Sequence, residues 1–296
     1  MRDGLQRDSG WIALHGPIVT ADQQQQFADL RRSGVHFVGV SSYLDFPRDD
    51  ARDRIDYQAV CEAWCHCFRD PTTYLSPSIA QALISVSDFI DWDHVNRTAS
   101  RLQDTSLGAY DYVYVAGVEP WKKQAKNWRL AARCIPELFR GMALRALVIG
   151  EPDHEFPAQQ GVTFSPPLAW PNLLGAIGRA KFLLVPSVRD PSPRVLAEAL
   201  CLNVPLLVHR DILGGWKYIN RFTGRFFFGE QDILVAAQSC LAGVRHPRDW
   251  FRSHYGPLIA GRRLTALLRP ADGTLTPETV LGLNPAGPHL RQAASG

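Results

Sequence analysis

The chain has 296 residues, 46% of them hydrophobic and 21% charged, which is the balance of a soluble globular protein with room for one large or two modest cores. Its 32 basic and 29 acidic residues are interspersed and leave a net charge of +3, so bulk charge offers no partner in nucleic acid. The opening residues MRDGLQRDSGW hold no apolar signal core and no run reaches the roughly 18 apolar residues of a membrane span, so the expectation is a cytoplasmic protein without a membrane span.

In chain order, residues 11–14 (WIAL) form a short apolar run that exits at His15-Gly16-Pro17, residues 21–32 have helical character with Gly34 as a stop, and residues 35–40 (VHFVGV) form a second strand. Residues 45–56 are polar and charged. Residues 57–68 then read as a helix, and residues 82–90 (ALISVSDFI) as a third strand. The segment 97–111, poor in large apolar residues, reads as a linker. Cys61, Cys65, His66 and Cys67 invite a zinc reading, but no second ligand pair with zinc-site spacing follows, and a helix packing its thiols inward is the expectation.

The second half has a stronger rhythm. Residues 112–116 (YVYVA) read as a strand opening into Gly117, residues 123–139 as a long helix closed by Gly141, and residues 144–149 (LRALVI) as the next strand, ending at Gly150-Glu151-Pro152. A short edge strand at 162–164, a helix at 171–180, a last strand at 226–228, a helix at 231–241 and one or two more across 245–268 complete it. Strands alternating with helices of this length predict a doubly wound parallel sheet. The Pro-, Gly- and Ala-rich segment 271–296 reads as a flexible tail. The expected division is a reduced N-terminal domain over 1–105, a second domain over 106–270 and the tail.

One stretch organises the chain. Residues 181–220 give a buried strand (182–185), a loop holding Asp190, a helix entered through Pro191, Ser192 and Pro193 that carries Glu198, and another buried strand (204–208). In such a βαβ unit ligands sit at the carboxyl ends of the strands, where Asp190 lies. Asp190 and Glu198 stand eight positions apart, after Val185-Pro186-Ser187 and before Ala199-Leu200-Cys201-Leu202-Asn203-Val204-Pro205. This resembles the acid-x7-acid signature of retaining glycosyltransferases of the family 4 kind, with Asp190 where those enzymes usually carry Glu. The likeness extends to 112–117, to 147–150 and to Phe222-Thr223-Gly224-Arg225-Phe226, and covers roughly residues 110–268.

The resemblance implies a GT-B type α/β fold, with two Rossmann-like parallel-sheet domains facing across a cleft. It implies transfer of a sugar from a nucleotide-diphosphate sugar to a hydroxyl acceptor (a glycan, a lipid or a small molecule), with retention, without a metal and with no cofactor beyond the donor itself. Glu198 would hold the donor ribose, Asp190 the donor sugar, and backbone N–H groups near Ser192, Arg194 and Val195 the diphosphate; carboxylates suit paired hydroxyls, and helix starts suit anions. Family members use an Arg and a Lys after the first strand of this domain. Here Gly117 is followed by Val118 where the Arg is expected, so that either Lys122, Lys123 or Lys126 supplies the charge or donor affinity is weakened. Lys123 joins Asp190, Glu198 and His15 as the expected catalytic set; Gly117, Lys122, Lys126, Ser192, Arg194 and Val195 form the expected donor-binding set. His15 lies at the end of the first strand, where an acceptor loop is implied. Asp88, Asp91, Arg189, His209 and Arg210 are further candidates.

No P-loop and no G-x-G-x-x-G after a strand appear, which argues against an ATPase or a dehydrogenase, and there is no Gly-x-Ser-x-Gly elbow. Asp49-Asp50 and Asp91-Trp92-Asp93 are the nearest approach to a metal-binding acid pair. Two other readings stay open: a non-catalytic binding protein of glycosyltransferase type, and a nucleotide-sugar epimerase on the same fold.

Overall fold

Residues 10–42, 46–47, 55–100, 107–118, 120–150 and 160–268 are described in the computed structural model. The expected tail, Asp49-Asp50 and Glu151-Pro152 lie outside the described residues. By its internal contacts the chain forms two compact units, one from Met1–Ile90 with Tyr255–Gly296 and one from Asp91–His254.

The first unit holds a parallel four-stranded sheet of β1 (Trp11–Leu14), β2 (His36–Val40), β3 (Ala63–His66) and β4 (Ala80–Leu83), in that order. Helix α1 (Ala21–Arg32) joins β1 to β2; Thr20 caps it in a reciprocal box with Gln23, and Phe27 packs its ring against Phe37 at 5.1 Å. The one-turn helix α2 (Tyr57–Val60) precedes β3.

Two expectations fail in this unit. Residues 57–68 are not one helix: Cys61 leaves α2 in an extended conformation and β3 follows. All four β3 side chains are buried, so the strand shows no alternation, and a short apolar run has no period that separates strand from helix. The strand expected over 82–90 lies earlier, at β4. Residues Val86–Phe89 instead form a 3-10 turn, in which the Asp88 carboxylate accepts the Ser85 N–H at 3.0 Å. Cys61, Cys65 and Cys67 are buried free thiols, that of Cys61 pushed up to about 12 mainly by burial, and no group of three or more metal-binding side chains comes together among the described residues.

The second unit holds six parallel strands: β5 (Tyr112–Gly117), β6 (Ala146–Gly150), β7 (Val162–Ser165), β8 (Phe182–Val185), β9 (Leu206–His209) and β10 (Gly224–Phe227). Their spatial order is β10-β9-β8-β5-β6-β7. The chain runs outward from β5 to β7, returns to the other side of β5, and runs outward again through β8 to β10. That is the doubly wound order, and its direction reverses between β5 and β8. Its helices among the described residues are α3 (Trp92–Ser100) and α4 to α9: Pro120–Ala125, Trp128–Met142, Trp170–Gly178, Arg194–Cys201, Ile233–Gly243 and Pro247–His254.

The central strands β6, β8 and β9 are buried at every position, as a sheet covered on both faces requires. Helices α5 and α8 share one core with Tyr112, Tyr114, Val148, Phe182 and Leu184, whereas α3, α6, α7 and α9 pack as a second group. The helix expected over 123–139 is two helices, because Asn127 adopts the left-handed conformation (φ 54°) between α4 and α5. Gly141 lies inside α5, and Ala143 closes it.

Two helices divide differently from the expected boundaries at 105 and 270. Helix α3 packs on α6 and α7 and belongs to the second unit. The last helix, α10 (Pro257–Leu268), packs on β3 and β4, where Leu264 and Leu268 join Trp11, Val38, Ala63, Cys65 and Ile84 in one core. Among the described residues no helix is long and apolar enough to cross a membrane.

Candidate functional site

The carboxyl ends of β5 and β8 flank the point where strand order reverses, and the segments that leave them are built to meet. Strand β5 ends at Gly117, whose φ of +82° favours glycine, and a Cβ there would stand 2.9 Å from Lys122 Cβ. Helix α4 therefore starts directly over the strand end. Lys126 follows it, with its N–H bonded to the Lys122 carbonyl at 2.8 Å and its own carbonyl accepting the Tyr114 hydroxyl at 3.2 Å. Asn127 Nδ2 donates to the Pro186 carbonyl at 3.0 Å, fastening this turn to the segment after β8. Lys126 Nζ then reaches Asp190 Oδ2 at 2.5 Å, with the two side chains 23% and 14% exposed. Lys122 and Lys123 stand on α4, both half-buried; the lysine that meets Asp190 is Lys126.

The Asp190 loop is also tied on its other side. Leu213 N–H donates to the Val188 carbonyl at 2.8 Å and Gly214 N–H to the Asp190 carbonyl at 2.9 Å. A Cβ at Gly214 would stand 1.8 Å from the Pro191 carbonyl oxygen, so no other residue fits this approach. Ser187, fully buried, keeps an Oγ without a hydrogen-bond partner among the described residues, a cost of about 1–3 kcal/mol held beside the site. Ser192, Arg194 and Val195 lie half-buried at the start of α7. Pro191 and Pro193 bring no N–H to that helix start, and the Leu196 N–H bonds the Pro193 carbonyl at 3.1 Å. The first backbone N–H groups of α7 are those of Arg194 and Val195.

Glu198 sits one turn into α7, with its side chain 5% exposed. Its Oε1 accepts the Trp170 indole N–H at 2.9 Å, and Arg194 Nη2 lies 3.7 Å from the same oxygen. Burial raises the Glu198 pKa above the ordinary carboxylate range; the charges of Arg194 and Lys126 and the indole bond oppose that shift without cancelling it. Lys126 therefore touches one acid of the pair and its field reaches the other. Sequence reasoning missed Trp170. It opens α6, 28 positions from Glu198, and its ring stacks on His94 of α3 at 5.5 Å.

Other candidates have structural work. Asp88 holds the Ser85 turn in the first unit, and Asp91 caps α3 by accepting the Asp93 and His94 N–H groups at 2.9 and 3.2 Å. His209 is buried, with Nε2 2.9 Å from the Phe228 carbonyl and Nδ1 accepting the Asp211 N–H at 3.1 Å, while Arg210 stacks over the Phe228 ring at 4.6 Å. Arg189 is exposed beside Asp190. His15 is exposed in the first unit at the end of β1.

No family model matches this sequence, and no curated protein matches it. Solved structures do match. The pneumococcal O-GlcNAc transferase GtfA, in complex with UDP and GlcNAc, superposes with a TM-score of 0.54 at 14% identity, over 82% of this chain and 54% of that one. AviGT4, a glycosyltransferase involved in avilamycin A biosynthesis, gives 0.57 at 14% identity over 88% and 74%. Anabaena Alr3699/HepE, in complex with UDP and glucose, gives 0.58 at 12% identity over 84% and 76%. The fold is that of the GT-B glycosyltransferases. The chain spans only about half of the GtfA chain.

Proposed function

We propose that this GT-B chain is a retaining glycosyltransferase of the family 4 kind, taking a sugar from a nucleotide-diphosphate sugar to a hydroxyl acceptor in the cytoplasm without a metal. The observation that carries the reading is the Lys126–Asp190 contact at the reversal point of the sheet, where doubly wound proteins bind ligands. Solved proteins of this fold hold UDP together with GlcNAc or glucose, which agrees with a nucleotide-sugar donor.

In this reading the incoming diphosphate competes for Lys126. The Asp190 carboxylate, relieved of its lysine, accepts hydroxyl protons of the donor sugar, and Glu198 accepts from the ribose. Lys126, Arg194 and the first N–H groups of α7 meet the charge that grows on the diphosphate as the C1–O bond breaks. The acceptor oxygen bonds C1 on the face the diphosphate leaves, and its proton passes to the departing phosphate oxygen. His15 is the acceptor-side group of the N-terminal unit. Positioning and fixed charge supply the rate enhancement, with no covalent intermediate required.

Melting temperatures measured with UDP-, GDP-, ADP- and CMP-linked sugars identify the donor, since a ligand of the folded state alone raises the midpoint. Product analysis with that donor over a panel of hydroxyl acceptors then follows. We expect a transferred sugar, with turnover abolished in Asp190→Ala and Glu198→Ala. Intact turnover in both variants would refute the site. A second reading has one observation in its favour: Val118 is exposed where the resemblance expects an arginine. A protein that only binds the nucleotide sugar would show the melting shift and no transfer or hydrolysis.

A further inference from the structure

Both contacts made to Glu198 fall on the same oxygen. Trp170 donates to Oε1 at 2.9 Å and Arg194 approaches Oε1 at 3.7 Å; among the described residues no hydrogen bond falls on Oε2. An indole N–H can only donate, and it has a single fixed direction. Trp170 has little freedom to let go: it opens α6, α6 packs on both α3 and α7, and its ring stacks on His94 at 5.5 Å and 27°. The carboxylate is thus clamped by one oxygen, and burial removes the water that would otherwise compete for that bond. A free carboxylate can bridge the two neighbouring hydroxyls of a ribose, one on each oxygen. Of this one's two oxygens, Oε1 already holds the indole N–H and lies beside the Arg194 guanidinium, so Oε2 is the oxygen with no protein donor among the described residues.

We propose that Trp170 is a positioning residue which, by holding Glu198 Oε1, makes the site read a single ribose hydroxyl of the bound nucleotide rather than the vicinal pair. The inference rests on the donor-site reading above and adds to it a selectivity that follows from the clamp. A nucleotide lacking the hydroxyl that meets Oε2 loses a bond to a charged acceptor; one lacking the neighbouring hydroxyl loses little.

The test is titration calorimetry of the full chain with UDP, GDP and ADP, each alongside its 2′-deoxy and 3′-deoxy counterparts. In the unaltered protein one deoxy form should bind at least about tenfold more weakly than its parent, and the other within about threefold. In Trp170→Phe, which keeps an aromatic ring and removes the N–H, the two deoxy forms should converge to within about threefold of each other while the parent still binds. A role limited to stability would shift the melting temperature without changing that ratio. If Trp170→Phe does not fold, Glu198→Gln, which replaces the presented acceptor with an amide, must show the same convergence. Equal losses for both deoxy forms in the unaltered protein, or an unchanged ratio in the variants, would overturn the inference while leaving the donor site standing. Absence of binding by all three parent nucleotides would overturn the donor-site reading and this inference with it.

Discussion

Lys126 Nζ lies 2.5 Å from Asp190 Oδ2 and joins the segment leaving β5 to the segment leaving β8. The two residues are 64 positions apart, and their meeting depends on the crossover that places β8 beside β5 in the sheet. Because both side chains keep contact with water, the pair should contribute only about 1 kcal/mol to stability. In the proposed donor site its consequence for binding is larger, since a cation held in place beside the acid would also be placed for a diphosphate.

Glu198 predicts a pH signature. Its folded-state pKa is raised above the ordinary value of 4.5, chiefly by burial. Below that ordinary value the group is neutral folded and unfolded, and the buried neutral acid contributes fully. As pH rises, the unfolded chain ionises first, and the contribution is lost through the raised folded pKa. Glu198→Gln removes this titration. Urea unfolding from pH 4.5 upward should show the stability of the variant relative to the parent increasing across mildly acidic pH and then levelling; a pH-independent difference would contradict the assigned burial.

Gly214 predicts a coupling between the two loops of the site. Alanine there would drive Cβ to 1.8 Å from the Pro191 carbonyl oxygen and push apart the bond from Gly214 N–H to the Asp190 carbonyl. Gly214→Ala should lower stability by about 1–3 kcal/mol, as overpacking does, and weaken nucleotide binding in the same protein. Calorimetry and a urea melt on one sample separate the two effects.

The N-terminal unit predicts a dependence on the far end of the chain. Leu264 of α10 is 7% exposed in a core shared with Trp11, Val38 and Cys65. Leu264→Ala should cost about 2–4 kcal/mol in urea unfolding, the range for a buried leucine replaced by alanine. A loss under 1 kcal/mol would mean that α10 is not part of that core.

What was legible followed the physics of burial. Strands β5, β6, β8 and β9 are covered on both faces and read as continuous apolar runs; the acid pair falls in the loop and helix that follow β8. Strand β3 was hidden by the same full burial, because Ala-Trp-Cys-His is as compatible with a buried helix turn as with a strand. Strand β4 was misplaced because Ala-Gln-Ala-Leu is partly exposed at the sheet edge and weakly apolar. The break at Asn127 carries no Gly or Pro to mark it. Trp170 was invisible as a site residue, for a tryptophan at a helix start reads as core, and only the packing of α6 on α7 brings its N–H to Glu198.

The most direct test of the donor site is calorimetric titration of UDP, GDP and ADP into the parent chain and into Lys126→Met, which keeps the apolar stem and removes the charge. A charge-assisted contact to the diphosphate predicts that the nucleotide bound by the parent binds the variant at least about tenfold more weakly, in a fold whose melting temperature is nearly unchanged. Equal affinity in the two proteins would contradict a diphosphate site at the β5–β8 reversal.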